Sequence, residues 1–249
     1  MGGHSHWAGI KHKKALVDSK RGKVWTKIVR EITMAAKIGG GDVNGNPRLR
    51  KAVDDAKASN MPAENVKRAI QKGTGELPGA IYEELTFEGY GPGGVAIYGE
   101  GTTDNRNRTT NEVRKIYENH GGNMGSPGCV SFLFEKKGRI ELKRAAIAEE
   151  ELLTLVLDLG AEDLKTTEAA YEIVTSPATF EAVQAGLKAK KLALESAEVT
   201  LIAKTTVAVV EPAASKLLAL VEALEDHDDV SKVYANFDIP DDVLAALEK

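Results

Sequence analysis

Lysine and arginine crowd the start of the chain, at Lys11, Lys13, Lys14, Lys20, Arg21, Lys23, Lys27 and Arg30. Positions 20, 23, 27 and 30 are three or four apart, which on a helix places them along one face. A ridge of cations suits a nucleic-acid backbone, whose recognition is driven by charge and largely blind to sequence. The plainer alternative is a solvated helix face, although after Asp18 the run meets no acidic residue before Glu31. A second pair, Arg106 and Arg108 in TTDNRNRTTNEVRK, falls where a strand gives way to a helix. Positive side chains at a helix amino end add to the charge the backbone already carries there, which costs about 0.3–1 kcal/mol. Two compensations are open. The arginines and the free N–H groups could hold a phosphate or carboxylate, or each could pair with Glu83, Glu84, Glu88 or Glu100 on neighbouring strands. Thr103 or Asp104 is the expected cap.

Other chemistries are thinly supplied. Ser126, six residues after His120, lacks the G-x-S-x-G elbow and a third triad partner. Cys129 is the only cysteine, so neither an internal disulfide nor a cysteine zinc cluster can form; a small side chain packed at the start of a strand is expected there. GYGPGG matches G-x-G-x-x-G, but the following VAIYGEG reads as a strand, so a hairpin loop replaces the helix a dinucleotide would need. His4, His6 and His12 have no second ligand cluster to complete a zinc site. The acidic run EDHDD, Glu225–Asp229, reads as a polar turn. The expectation is no enzyme, no cofactor, no metal and no small-molecule substrate.

The elements that must carry these residues divide at about residue 80. Before it, SKRGKVWTKIVREITMAAKIGGG carries Val24, Ile28, Ile32 and Ala35 at helical spacing, widened by Trp25, Val29 and Ala36. Pro47 and Pro62 open two further helices, and Gly73 ends the last. From Ile81 the period shortens to two. The order reads β-β-α-β, then β-α-β-β-α-β, then α-β, and the middle block matches a ferredoxin-like unit. The predicted fold class is α+β: a three-helix domain over 1–80, then two ferredoxin-like α/β domains. One of these, 137–205, is inserted into the other, 81–136 plus 206–249. CVSFLFEKKGRIEL is predicted to turn at Lys136–Gly138.

Charge follows the same division. Residues 1–80 hold 16 Lys and Arg against 7 Asp and Glu, a net of +9, while the remainder carries −13. A basic lobe on an acidic body suggests a polyanion partner at one end. Aromatic residues make up only 5%, which disfavours a base-stacking platform. No apolar run approaches the roughly 18 residues of a membrane span, so no membrane partner is expected.

GHSHWAGIKHKKALVDSKRGKVWTKIVREI, GGGDVNGNPRLRKAVDDAKASNMPAENVKRAIQKG, EGYGPGGVAIYGEGTTDNRNRTTNEVR and GGNMGSPGCVSFLFEKKG closely resemble the YebC/PmpR family, which also includes the mitochondrial translational activator of cytochrome oxidase subunit one. The resemblance spans nearly the whole chain and is most specific up to about residue 140. It implies a helical domain and two ferredoxin-like domains, no catalytic activity and no cofactor. It also implies a cytoplasmic, DNA-binding transcriptional regulator. The alternative is a ribosome- or RNA-associated translation factor that helps synthesis through proline-rich stretches. A third reading, drawn from the acidic α/β domains, is a protein-interaction scaffold.

Overall fold

The computed structural model describes residues 19–167, 170–240 and 243, with side chains from residue 22 onward. Its contacts group into two compact units. One is built from the described residues up to Ser131 together with those from Thr206 onward, and the other is Phe132–Thr205.

The first unit begins with three helices, α1 (Ser19–Gly39), α2 (Pro47–Ala58) and α3 (Ala63–Thr74). Ile32, Ala35 and Ala36 of α1 meet Leu49, Ala52, Val53, Ala56 and Ala69, forming a small core of their own. Val24, expected in the buried stripe, is 43% exposed. Asn46 fastens the turn between α1 and α2. Its side-chain N–H groups donate to the Ala35 and Gly40 carbonyls, and its oxygen accepts from Leu49 N–H. One amide thus closes the end of α1 and caps α2, with Pro47 in the first helical position.

The body of this unit is a four-stranded antiparallel sheet in the order β3-β1-β2-β9, from β1 (Glu83–Gly91), β2 (Val95–Thr103), β3 (Asn123–Met124) and β9 (Val230–Ala235). Pro92–Gly94 makes the β1–β2 hairpin, as GYGPGG predicts. Helices α4 (Arg106–Asn119) and α7 (Ala213–Asp226) cover one face. Leu85, Phe87 and Ile97 of the sheet pack there on Val113, Tyr117, Leu217, Leu220 and Leu224. A short parallel pair joins β8 (Val207–Ala208) to β10 (Phe237–Asp238).

The second unit runs β4 (Phe134–Lys143), α5 (Glu149–Asp158), β5 (Ala161–Thr166), β6 (Ala170–Thr175), α6 (Phe180–Ala189) and β7 (Leu194–Ala203). Its sheet order is β5-β6-β4-β7, the arrangement of a ferredoxin-like split βαβ. Two expectations change here. Lys136–Gly138 is no turn, because β4 runs straight through it, with Gly138 opposite Thr175 and Val199. The glycine marks a close approach instead: a Cβ there would lie 2.2 Å from Thr175 Oγ1 and 2.5 Å from Phe180 Cδ2. Because Phe134–Lys137 already pair with β7, the inserted unit starts at Phe132 and not at residue 137.

Candidate nucleic-acid interface

Lys23, Lys27 and Arg30, the cations of the α1 ridge whose side chains are described, do not stand free. They lie on the turn that follows α7. Lys23 Nζ donates to the Asp226 carbonyl at 3.3 Å and stands 3.8 Å from the Asp226 carboxylate. Lys27 Nζ donates to the Glu225 carbonyl, and Arg30 Nη1 to the Asp228 carbonyl. Arg30 also meets the Asp229 carboxylate at 2.6 Å. The Glu225 and Asp226 carbonyls belong to the carboxyl end of α7, where a helix carries partial negative charge and favours cations, and Asp228 lies in the turn just beyond it. Lys11, Lys13 and Lys14 lie outside the described residues, as do His4, His6 and His12; Lys20 and Arg21 are described for their backbone alone.

Asp229 is the centre of the arrangement, with a side chain only 2% exposed. Arg30 takes one carboxylate oxygen. Arg108 Nη2 at 2.7 Å, the Thr103 hydroxyl at 3.1 Å and the Thr109 hydroxyl converge on the other. Burial works against this charge, but the Thr109 hydroxyl, the Arg108 and Arg30 guanidiniums and the Thr103 hydroxyl outweigh it and hold the carboxyl below its usual range. Gly101 lets the turn come this close. Asp229 O accepts from Thr102 N–H at 2.8 Å, and a Cβ on residue 101 would fall 2.3 Å from that oxygen. Since a backbone carbonyl cannot swing aside, Gly101→Ala is expected to cost about 1–3 kcal/mol. Urea unfolding checks this, and the Asp229 contacts should loosen with it.

Arg106 and Arg108 therefore follow the pairing alternative. Arg106 reaches Glu83 at 2.9 Å and the Glu84 carbonyl at 2.8 Å. Arg108 pairs with Asp104 as well as Asp229, neither of them among the four partners expected. The cap of α4 is Asn105, whose side chain accepts from Arg108 N–H, while Thr103 accepts from Asn105 N–H. Glu88 pairs with no arginine. Its carboxylate accepts the N–H groups of Gly128, Val130 and Ser131; burial opposes the charge, but those bonds prevail and lower its pKa. Cys129 sits half-buried in the same bend, ahead of β4 and not within it.

Two acid-depressed carboxyls set a pH dependence. A carboxylate whose pKa falls on folding stabilises the protein above its unfolded value and stops doing so as pH drops through the folded one. Stability should therefore be flat above about pH 5 and fall below about pH 4. Urea titrations from pH 6 to 2 check this, and Asp229→Asn should flatten the decline.

The sequence shows Thr103 only as a possible cap and His227 and Asp229 only as part of a polar turn, and Thr109 carries no signal. His227 Nδ1 accepts the Asp229 N–H at 3.1 Å, and its Nε2 faces Glu112 at 3.0 Å. Glu112, His227 and Asp229 place ligand atoms within 4.8 Å of one another. Two guanidiniums already balance Asp229, however, so the group is an ion-pair network. Beside it a cleft of about 580 Å³ is lined by Lys23, Arg30, Arg108, Lys115 and the turn Asp226–Asp229. The one signal in the sequence was the acidic run Glu225–Asp229 itself.

The comparisons with known proteins bear on the whole chain. Residues 5–76 match the model of the TACO1/YebC protein N-terminal domain, and residues 82–237 match that of the TACO1/YebC second and third domain. The chain belongs to the TACO1/YebC family. A "Probable transcriptional regulatory protein" of Elusimicrobium minutum is 52% identical over 100% of both chains. One of the same name from Syntrophobacter fumaroxidans is 53% identical over 98% of each. The crystal structure of a conserved hypothetical protein from Aquifex aeolicus superposes with a TM-score of 0.83 at 49% identity, covering 96% of this chain and 99% of that one. Among the described residues of this TACO1/YebC member, no helix is long and apolar enough to cross a membrane.

Proposed function

We propose that this TACO1/YebC protein is a cytoplasmic nucleic-acid-binding regulator of gene expression, with DNA as its target and transcription as the regulated step. The carrying observation is how the head's cations are shared out. From Lys23 to Lys57 each described lysine and arginine of the head has an acceptor: Arg48 on Glu31 and Glu84, Lys37 on the Tyr82 carbonyl, Lys51 on Asp55, Lys57 on Asp54, Arg50 on the Val43 and Asn44 carbonyls. Lys67 and Lys72 of α3 stand exposed without one. The described head cations free to meet an outside anion are therefore these two, and residues 1–21 add five Lys and Arg against a single acid, Asp18. Charge gathered at one end of an otherwise acidic chain suits a phosphate backbone. The names of the relatives, probable transcriptional regulatory proteins, support the regulatory part of the reading.

The rival target is ribosomal RNA, in a translation role. Trp25, the aromatic side chain on the described part of α1, is tied to the Ser59 carbonyl and is not offered to bases, so duplex backbone is the favoured target in either case. Neither role requires a catalytic step. Cross-linking in cells followed by sequencing of the attached nucleic acid tests the proposal. DNA from discrete loci is expected. Ribosomal RNA would move the function to translation, and no attached nucleic acid would overturn both.

A further inference from the structure

We infer that the α1 face bearing Lys23, Lys27 and Arg30 is a second phosphate-binding surface, kept covered by the chain's own turn Glu225–Asp229. The inference rests on the nucleic-acid reading above and extends it to how the site is gated. The three cations lie along about 10 Å of helix, at 1.5 Å rise per residue. Against them the turn sets a row of oxygens: the Glu225, Asp226 and Asp228 carbonyls and the Asp226 and Asp229 carboxylates. Closely spaced anionic oxygens facing a row of cations are what a nucleic-acid strand would supply.

The cover is uneven. At one end Asp229 is buried between Arg30 and Arg108. At the other, Lys23 and Asp226 are each about half exposed, 49% and 51%, and 3.8 Å apart. A pair so exposed is screened by salt and competes poorly with a polyanion. Arg30 is also only half used. Nη1 serves both of its acceptors, while its Nε is buried with no partner. A phosphate could engage the fork two atoms at a time, as one carboxylate oxygen does not. The cleft gives access, since Lys115 in its lining is exposed and has no acceptor of its own. A strand entering the cleft would meet Lys115 and displace the Asp226 end of the turn, with the Asp229 end as the fixed point.

The test is a binding cycle on the full-length protein with duplex DNA. Asp226→Asn with Asp228→Asn, both at exposed positions, should tighten binding about tenfold. It should also steepen the plot of log K against log salt by about two units, the contribution of two more phosphates. In a Lys23→Gln, Lys27→Gln background the same change should give no gain. Glu118→Gln with Glu222→Gln, equal in charge and exposed on α4 and α7, is the control and should leave affinity within about twofold. A gain that persists without Lys23 and Lys27, or that the control reproduces, would overturn the inference while leaving nucleic-acid binding intact. No binding by any variant, the parent included, would overturn both.

Discussion

Replacing Asp229 with alanine is expected to lower the stability of the first unit by about 3–5 kcal/mol, the cost of removing one partner from a buried ion pair. The loss is large because several groups depend on this carboxylate. Arg30 and Arg108 keep their charge with no counter-ion on the buried side, and the Thr103 and Thr109 hydroxyls lose their shared acceptor. The two threonines are themselves buried, at 0% exposure each. Asp229→Asn, which retains an oxygen for the hydroxyls but no charge, should fall between the two. Both tryptophans lie in the basic head, so fluorescence during urea unfolding reports on this unit. A loss under about 1 kcal/mol for the alanine variant would mean that the network merely decorates the junction between head and body.

The second large effect concerns function. Changing Lys11, Lys13, Lys14, Lys20 and Arg21 together to alanine should weaken binding to duplex DNA by roughly four to five orders of magnitude at 0.1 M salt, since each neutralised phosphate contributes about a factor of eight there. Stability should hardly move, because the cations that fasten the head to the body, Lys23, Lys27, Arg30, Lys37 and Arg48, are untouched. Filter binding or fluorescence anisotropy measures the first quantity and urea unfolding the second. An unchanged affinity would shift binding to Lys67, Lys72 and Lys115. A collapse in stability would show that the segment is part of the fold.

The head was legible because its signals are local. Gly39–Gly41 and Pro47 punctuate the helices, and Ile28, Ile32 and Ala35 recur at helical spacing; Gly73, expected to end α3, lies inside it against the Thr33 carbonyl, and Gly75 at φ 82° is the cap. The ferredoxin-like unit was legible for the same reason, from alternation and helix stops. The junction was not. Arg30 and the Asp228–Asp229 turn are about two hundred residues apart, and no periodicity links a ridge on one helix to a turn after another. Each charged stretch, taken alone, reads as solvent-facing. TTDN offers four capping residues in a row, and only the extended backbone of Asn105, at φ −150°, selects it. Gly138 reads as a turn because sequence shows the missing side chain but not the Phe180 ring that needs the space.

Division of the cations into an inward set and an outward set is most directly tested by the salt dependence of DNA binding in the unaltered protein. The five amino-terminal cations together with Lys67 or Lys72 neutralise about six phosphates, so log K should fall against log salt with a slope near −5. A slope near zero would contradict the account, since the outward cations would then touch no phosphate.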